Sequence, residues 1–431
     1  MINSILYNLI FIPAFILYLP FFIKRLIQRG VGTADFGERF GLFSKEKKKL
    51  LATLNEPVMI HAVSVGEVIA ALNFMKRWKQ RAPNVQFVLS VTTTTGHAMA
   101  KKKLFPGTVL IYSPLDFLLS VQSTLRMVCP SMLVIFEVEI WPNLIRQTKK
   151  RGALLALANC RMSDSSSKGY ARFKYFFKPL FDAFDLICAQ SSTDIQRLAA
   201  ITGSRKRTLL CNTMKFDQQA PVLAEGESRQ RFVDKVFGDH SIIFSAASTH
   251  AGEEEMILEL FKELKNEYPG IKLILTPRHS ERSPEVEKII QAYNLSYTKV
   301  QSSNEQTDVD VLLVNTTGEL IHFLAVSDIV FVGKSMCGNH GGHNIIEPAL
   351  LEKVVVHGSN MENFQYVVDA FQEEKASLMV KDMQEFHQVM SKLLADDRYR
   401  NEIAGKALQV VEKYRGAIDK TIDALQQIQE T

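Results

Sequence analysis

Several polar residues of this 431-residue chain stand just past short apolar runs, where their types would permit chemistry. In His61-Ala-Val-Ser-Val-Gly-Glu67, Ser64 and Gly66 can turn the chain into a helix, with Glu67 exposed at its start. A carboxylate there can take a proton from an attacking hydroxyl. It fits equally well as a helix-start charge answering the dipole. In Phe136-Glu-Val-Glu-Ile-Trp-Pro-Asn143, Glu137 and Glu139 share a face if the strand continues. Beside Trp141 they can bind sugar hydroxyls or stabilise positive charge on a sugar ring, or they can be ordinary solvated or paired carboxylates. Lys215, in Asn212-Thr-Met-Lys-Phe-Asp217, can meet a leaving phosphate or merely be solvated. The run Ser90-Val-Thr-Thr-Thr-Thr-Gly96 offers hydroxyls to a ligand or caps to the next helix.

The second half carries a different chemistry. Gly333-Lys-Ser-Met-Cys-Gly-Asn-His-Gly-Gly-His-Asn-Ile-Ile-Glu-Pro348 follows a strand-like run and precedes a helix-like one. A glycine-rich turn before a helix N-terminus can cradle a phosphate, and Asn344 with Glu347 can bind ribose hydroxyls. The same glycines can also serve only to turn the chain. Arg278 and Arg282, in Thr276-Pro-Arg-His-Ser-Glu-Arg282, can grip phosphate through paired N–H donors. The amides of Thr317-Gly318-Glu319 can read a base or a phosphate. His340 and His343 do not have the spacing of a usual ligand set and no cysteine pair accompanies them, so no metal is expected. Neither Gly-x-x-x-x-Gly-Lys-Ser/Thr nor Gly-x-Gly-x-x-Gly occurs, which disfavours a kinase or a dehydrogenase.

The elements that would position these residues alternate. Apolar, β-branched runs at 58–63, 85–91, 109–112, 133–136, 154–157 and 186–189 are separated by helical patterns such as 68–80 and 194–201. A second set lies at 242–246, 272–275, 311–314, 329–332 and 354–357. Strands apolar throughout are buried on both faces, so the pattern predicts parallel sheets covered by helices. Two Rossmann-like α/β domains follow, with ligands beyond the carboxyl ends of the strands in a cleft. The expected boundaries are an N-terminal segment 1–29, a first domain 30–216, a linker 217–228 and a second domain 229–431.

Charge divides in the same place. Residues 1–210 hold 29 Lys+Arg against 12 Asp+Glu, while 211–431 hold 22 against 34. A basic half therefore faces an anionic surface, nucleic acid or lipid. Residues 1–23 carry no charge and Lys24, Arg25 and Arg29 follow at once. As a helix this stretch is roughly 35 Å long, enough to cross a bilayer core. The basic flank would leave the rest in the cytoplasm. Pro13 and Pro20 keep open a segment lying in the interface instead. The five cysteines form no Cys-x-x-Cys pair, and four of them stand in apolar runs, which suggests buried thiols in a reducing compartment.

Taken in order, Ser64-Val-Gly-Glu67, Glu137-x-Glu-x-Trp-Pro-Asn143, Lys215-Phe-Asp217, Ser248-Thr-His-x-Gly-Glu253, Pro277-Arg-His-x-Glu-Arg282, Gly318-Glu-Leu320 and Gly341-Gly-His-Asn-x-x-Glu-Pro348 resemble the 3-deoxy-D-manno-octulosonic acid (Kdo) transferases of lipopolysaccharide synthesis. The resemblance implies a GT-B glycosyltransferase of two Rossmann-like domains facing a cleft, with an N-terminal membrane anchor. It implies transfer of one or more Kdo residues with inversion from CMP-Kdo to a lipid A precursor, lipid IVA. No cofactor or metal is implied, and no nucleic acid partner. The expected seat is the bacterial inner membrane, anchored on an anionic surface with the catalytic domains in the cytoplasm. By motif, Glu67 is the general base, and Glu137 and Lys215 stabilise the transition state. Pro277, Arg278, Thr317, Gly318, Glu319, Asn344, Ile345, Ile346 and Glu347 form the CMP site. Lys334, Ile345-Ile346 and the stretch 357–364 depart from the usual family pattern. The rivals are another GT-B enzyme using a different nucleotide sugar, an epimerase among them, and a non-catalytic membrane-surface scaffold.

Overall fold

Each of the expected apolar runs lacks a polar face, and each forms a strand; all but Thr108–Tyr112, at a sheet edge, have a neighbour on both sides. The computed structural model describes residues 2–28, 33–204, 207–218, 226–238, 242–301 and 307–430. Contacts divide the chain into two compact units, 1–217 with 416–431, and 218–415.

Among the described residues, the first unit holds β1 (Val58–Ala62), β2 (Phe87–Val91), β3 (Thr108–Tyr112), β4 (Met132–Phe136), β5 (Leu154–Cys160), β6 (Leu186–Ala189) and β7 (Thr208–Leu210). They form one parallel sheet in the order β3-β2-β1-β4-β5-β6-β7. Val58 of β1 pairs with Phe87 on one side and Met132 on the other, which sets the register at the point where strand order reverses. Alternate side chains feed two cores. Ile60, Val134, Phe74 and Trp78 pack on one face, and Met59, Leu133, Ile135 and Phe181 on the other.

The second unit repeats the plan with β8 (Ile242–Thr249), β9 (Ile271–Pro277), β10 (Tyr297–Lys299), β11 (Val311–Leu313), β12 (Ile329–Val332), β13 (Val354–His357) and β14 (Leu378–Met379). Their order is β10-β11-β9-β8-β12-β13-β14, again parallel, with the reversal between β8 and β12. The short edge strands β7, β10 and β14 were not among the expected runs.

The last helix departs from the expected boundary at 431. Residues 416–431 cluster with the first unit. Ala417, Ile418, Ile422 and Leu425 enter the core around Ile60 and Val134. Arg77 holds Asp419 through two bonds of 2.8 and 2.9 Å. Asp217 accepts from the N–H groups of Gly416 and Ile418, each at 2.5 Å. Of the expected linker, residues 219–225 lie outside those described.

The apolar N-terminal stretch forms a helix, Ile2–Gln28, with Pro13 and Pro20 inside it. Met1 and Arg29 of the expected 1–29 segment lie outside the described residues. Among the described residues, no helix is long and apolar enough to cross a membrane, so no spanning anchor is carried by them. One face of the helix docks on the first unit. Tyr7 Oη donates to Asp116 at 2.8 Å, and Asn8 and Asn143 exchange side-chain bonds of 3.2 and 2.8 Å. Another face leaves Ile5, Leu6, Leu9, Ile10, Ile16, Leu17 and Phe21 exposed. Cys160, Cys188 and Cys211 are buried as expected, but Cys129 and Cys337 are exposed free thiols.

Candidate active site

The residues singled out by sequence fall into one group in each unit. In the first unit they gather past the ends of β1, β4 and β5, beside the order reversal where parallel sheets leave a crevice.

Glu67 opens the helix Val65–Arg81 and is not exposed as expected; only 7% of its surface is accessible. Its carboxylate closes a capping box. Oε1 accepts from Ser64 N at 3.1 Å and Oε2 from Val63 N at 2.8 Å, while Ser64 Oγ accepts from Glu67 N at 3.2 Å. The capping role is therefore present. Each carboxylate oxygen keeps a lone pair, so a hydroxyl can still reach it.

Glu137 and Glu139 do not share a strand face. β4 stops at Phe136 and Glu137 adopts a left-handed backbone, φ +57°, held by its N–H to Ala158 O at 2.9 Å. A non-glycine residue held there stores strain, a common mark of functional sites. The turn redirects the Glu137 carboxyl toward Glu67, Lys215 and Arg161. Burial, then the Glu67 charge, push this carboxyl above its usual range, and Lys215 and Arg161 draw it back. Burial and Glu67 also push Glu139 up to about 7, against the Trp141 indole N–H that donates to it at 3.1 Å. Lys215 is lowered to about 8, chiefly by burial and further by Arg161, with Glu137 opposing. Its short helix, Met214–Asp217, is pinned where Met214 N donates to Asn159 Oδ1 at 3.0 Å. Asn159 is itself left-handed, φ +53°.

Three carboxylates, a depressed lysine and an arginine thus converge. Arg161 was missed by sequence reading. Its position just past β5 was the available signal, because that is where the other site residues stand. One threonine of the run caps the next helix: Thr93 Oγ1 accepts from Gly96 N at 3.2 Å and donates to Val63 O at 2.6 Å.

In the second unit, Pro277 ends β9 and Arg278 is exposed just past it, its N–H bonded to Thr249 O at 3.0 Å. Arg282 does not serve as the second expected phosphate fork. Its guanidinium grips buried Glu254 at 2.8 Å and Glu285 at 2.8 Å. Around Arg278 stand residues that spacing did not bring together. His250 Nε2 and His343 Nε2 lie 3.1 Å apart, and His279 meets the His250 ring edge-on at 5.9 Å. His343 is held down to about 3 by burial, then by the charges of Arg278, His250 and Lys334. Arg278 and Lys334 place positive charge beside this histidine pair, which favours an anion.

The glycine turn is tighter than a phosphate loop requires. A Cβ on Gly333 would lie 2.6 Å from Ser248 O, one on Gly341 2.4 Å from Asn363 Nδ2, and one on Gly342 2.2 Å from Met361 Sδ. Close approach within the chain therefore demands these glycines. Glu253 clamps the same turn, accepting from the N–H groups of His250, Lys334, Ser335 and Met336 at 2.8–3.1 Å. The helix that follows, Ile346–Leu350, has only five residues and supplies little of the expected dipole.

Asn344 Nδ2 donates to Glu347 Oε1 at 3.0 Å, so those two side chains do stand together. Burial raises the Glu347 carboxyl, with Asn344 and Arg278 opposing. Ile345 and Ile346 are fully buried, and the Ile346 N–H is already given to Asn344 Oδ1. Thr317 Oγ1 meets Ser280 Oγ at 3.0 Å, and Gly318 (φ +91°) and Glu319 lead into the helix Leu320–Ala325. His340 turns away to Glu362 at 3.0 Å. Among the described residues, no three His, Cys, Asp or Glu side chains gather as metal ligands.

A sequence profile described as 3-deoxy-D-manno-octulosonic-acid transferase (kdotransferase) matches residues 34–218. The 3-deoxy-D-manno-octulosonic acid transferase of Haemophilus influenzae is 30% identical over 85% of this chain and 86% of its own length. The chain belongs to the Kdo transferase family. Membership in this glycosyltransferase family accounts for both groups of residues lying in one polypeptide. Among solved structures, UDP-GlcNAc 2-epimerase from Neisseria meningitidis superposes with a TM-score of 0.60 at 12% identity, over 86% of this chain and all of that one. A glycosyltransferase from Rickettsia africae gives 0.58 at 12%, over 88% of this chain and all of that one. At such identity these likenesses show the shared two-domain fold.

Proposed function

We propose that this member of the Kdo transferase family moves Kdo from CMP-Kdo to a hydroxyl of a lipid A precursor, with inversion. The convergence of Glu67, Glu137, Glu139, Lys215 and Arg161 beyond β1, β4 and β5 carries the reading. Glu67 accepts the hydroxyl proton as the acceptor oxygen attacks the anomeric carbon. The bond from that carbon to the phosphate oxygen breaks, and CMP departs with the electron pair. Glu137 is assigned to positive charge developing on the sugar ring, and Lys215 to the departing phosphate.

CMP is assigned to Arg278, to the amides at Thr317–Glu319, and to Asn344 and Glu347, with the His250–His343 pair and Lys334 supplying further donors to its phosphate. Pro277 and the buried Ile345 and Ile346 act through backbone shape. In this reading CMP-Kdo is a substrate, and no separate cofactor, metal or nucleic acid takes part. The exposed stripe Leu6, Ile10, Leu17 and Phe21 of the helix Ile2–Gln28 is assigned to the bacterial inner membrane, with both units in the cytoplasm. Its opposite face is bonded to the first unit through Tyr7 and Asn8, which favours a helix seated in the interface.

The test is product mass. Detergent-purified protein with CMP-Kdo made in situ and tetraacylated lipid A precursor should add whole Kdo increments, and their number gives the count of transfers. A folded protein that binds CMP but adds no increment would move the assignment to another donor or acceptor.

A further inference from the structure

An apolar groove of about 880 Å³ runs along the first unit beside the N-terminal helix. Ile5, Leu9 and Ile12 line it from that helix, facing Leu42, Phe117 and Leu118. Phe117 is fixed beneath it, edge-on to Phe11 at 5.1 Å and to Phe15 at 5.0 Å. The volume is that of a ligand pocket, which spans ~300–1,000 Å³. Its rim remains apolar: Leu42 is 68% exposed and Leu119 78%.

Two of the polar side chains in the walls are already bonded inside the fold. Asn8 is bonded to Asn143, and Ser123 Oγ donates to Gly41 O at 2.8 Å. Among the described residues, no charged side chain lines the groove. A peptide laid there would bury backbone donors and acceptors without partners, whereas a hydrocarbon chain needs none. Two observations point to whose chain it is. The helix Lys45–Ala52, which follows the Leu42 lip in the chain, exposes Lys45, Lys48 and Lys49 against Glu46, a net positive charge for an anionic headgroup. The groove wall is also tied to the catalytic turn: Asn8 bonds Asn143, in the segment that carries Glu137, Glu139 and Trp141.

We propose that this groove seats one acyl chain of the lipid acceptor, holding its sugar hydroxyl in reach of Glu67. The inference rests on the acceptor class assigned above. It makes the N-terminal helix part of the acceptor site as well as an attachment.

Two full-length variants test it. Leu9→Trp fills the groove and keeps the helix apolar. Leu118→Asp places a charge in the groove at the first position of the helix Leu118–Val128, where an acidic residue suits the dipole. Affinity for tetraacylated and for deacylated phosphorylated acceptor is measured by calorimetry, and KM for each by Kdo transfer. Both variants should weaken the acylated acceptor by roughly tenfold or more, since each methylene left unburied costs about fourfold. The deacylated acceptor should be unaffected. Leu9→Trp should bind phosphatidylglycerol–phosphatidylethanolamine vesicles as the wild type does. Equal effects on both acceptors, or none, overturn the proposal. Vesicle binding that falls in step with acceptor affinity assigns the groove to bulk lipid, and a changed oligomeric mass assigns it to a second copy; both overturn it. A wild type that binds the acylated acceptor through the groove but transfers no Kdo leaves the inference standing and rejects the assigned reaction.

Discussion

Glu67 has a structural role and a proposed chemical one, and they separate by substitution. As the third residue of a capping box it secures the turn after β1; in the proposed reaction its carboxylate accepts a proton. Glu67→Gln keeps an oxygen for the Ser64 or Val63 N–H but removes the base. It should lose ~0.5–1.5 kcal/mol of stability for the one N–H left without an acceptor, while losing ~10²–10⁴ in kcat. Glu67→Ala should lose activity and also ~0.5–2 kcal/mol of stability. A Gln variant with wild-type turnover would leave Glu67 a cap alone. Glu139 gives a pH test. Burial raises its carboxyl from 4.5 to about 7, so the fold retains a proton there that the unfolded chain has released. That contribution is complete below 4.5 and is lost as pH rises through about 7. Glu139→Gln cannot ionise, so its melting temperature relative to wild type should climb from pH 5 to pH 8. A flat difference would mean that the carboxyl is not held protonated.

Turns of the second unit show what an element demands of its residues. Gly338 and Gly342 belong to one segment and both have positive φ, +75° and +64°. A Cβ on Gly338 meets nothing within 4 Å, whereas one on Gly342 meets Met361 Sδ at 2.2 Å. Gly338→Ala should cost only the left-handed backbone term, ~1–2 kcal/mol. Gly342→Ala should cost more and weaken CMP, as read by thermal denaturation and CMP titration. Equal costs would remove the close-packing argument for this turn. The glycines were legible in the sequence, but their reason was not, because Met361 and Asn363 arrive from a later segment. Arg282 teaches the same: its motif resembles a phosphate fork, and only the fold shows Glu254 buried beneath it.

At the scale of the molecule, each unit is a parallel sheet, but the first is completed by the end of the chain. Ile418, Ile422 and Leu425 are buried in its core, and each such side chain contributes ~1.5–3 kcal/mol. Deleting 416–431 should therefore lower the unfolding transition of the first unit by many degrees and leave that of the second in place, as read by calorimetry with limited proteolysis. A shift confined to the second unit would reassign the helix.

Strand runs such as Met132–Phe136 were legible because a strand buried on both faces must be apolar throughout, a local property of composition. The site residues stood out for a related reason: polar groups directly after such runs lie at strand ends, where a parallel sheet leaves room for a ligand. Edge strands of two or three residues, β7, β10 and β14, carry too little pattern to be read. The tertiary structure alone decided that Glu137 turns out of line, that Glu139 is raised while Lys215 is lowered, that three histidines meet near Arg278, and that the last helix returns to the first unit. Each of these depends on burial and charge brought together by residues far apart in the chain, and no local pattern records them.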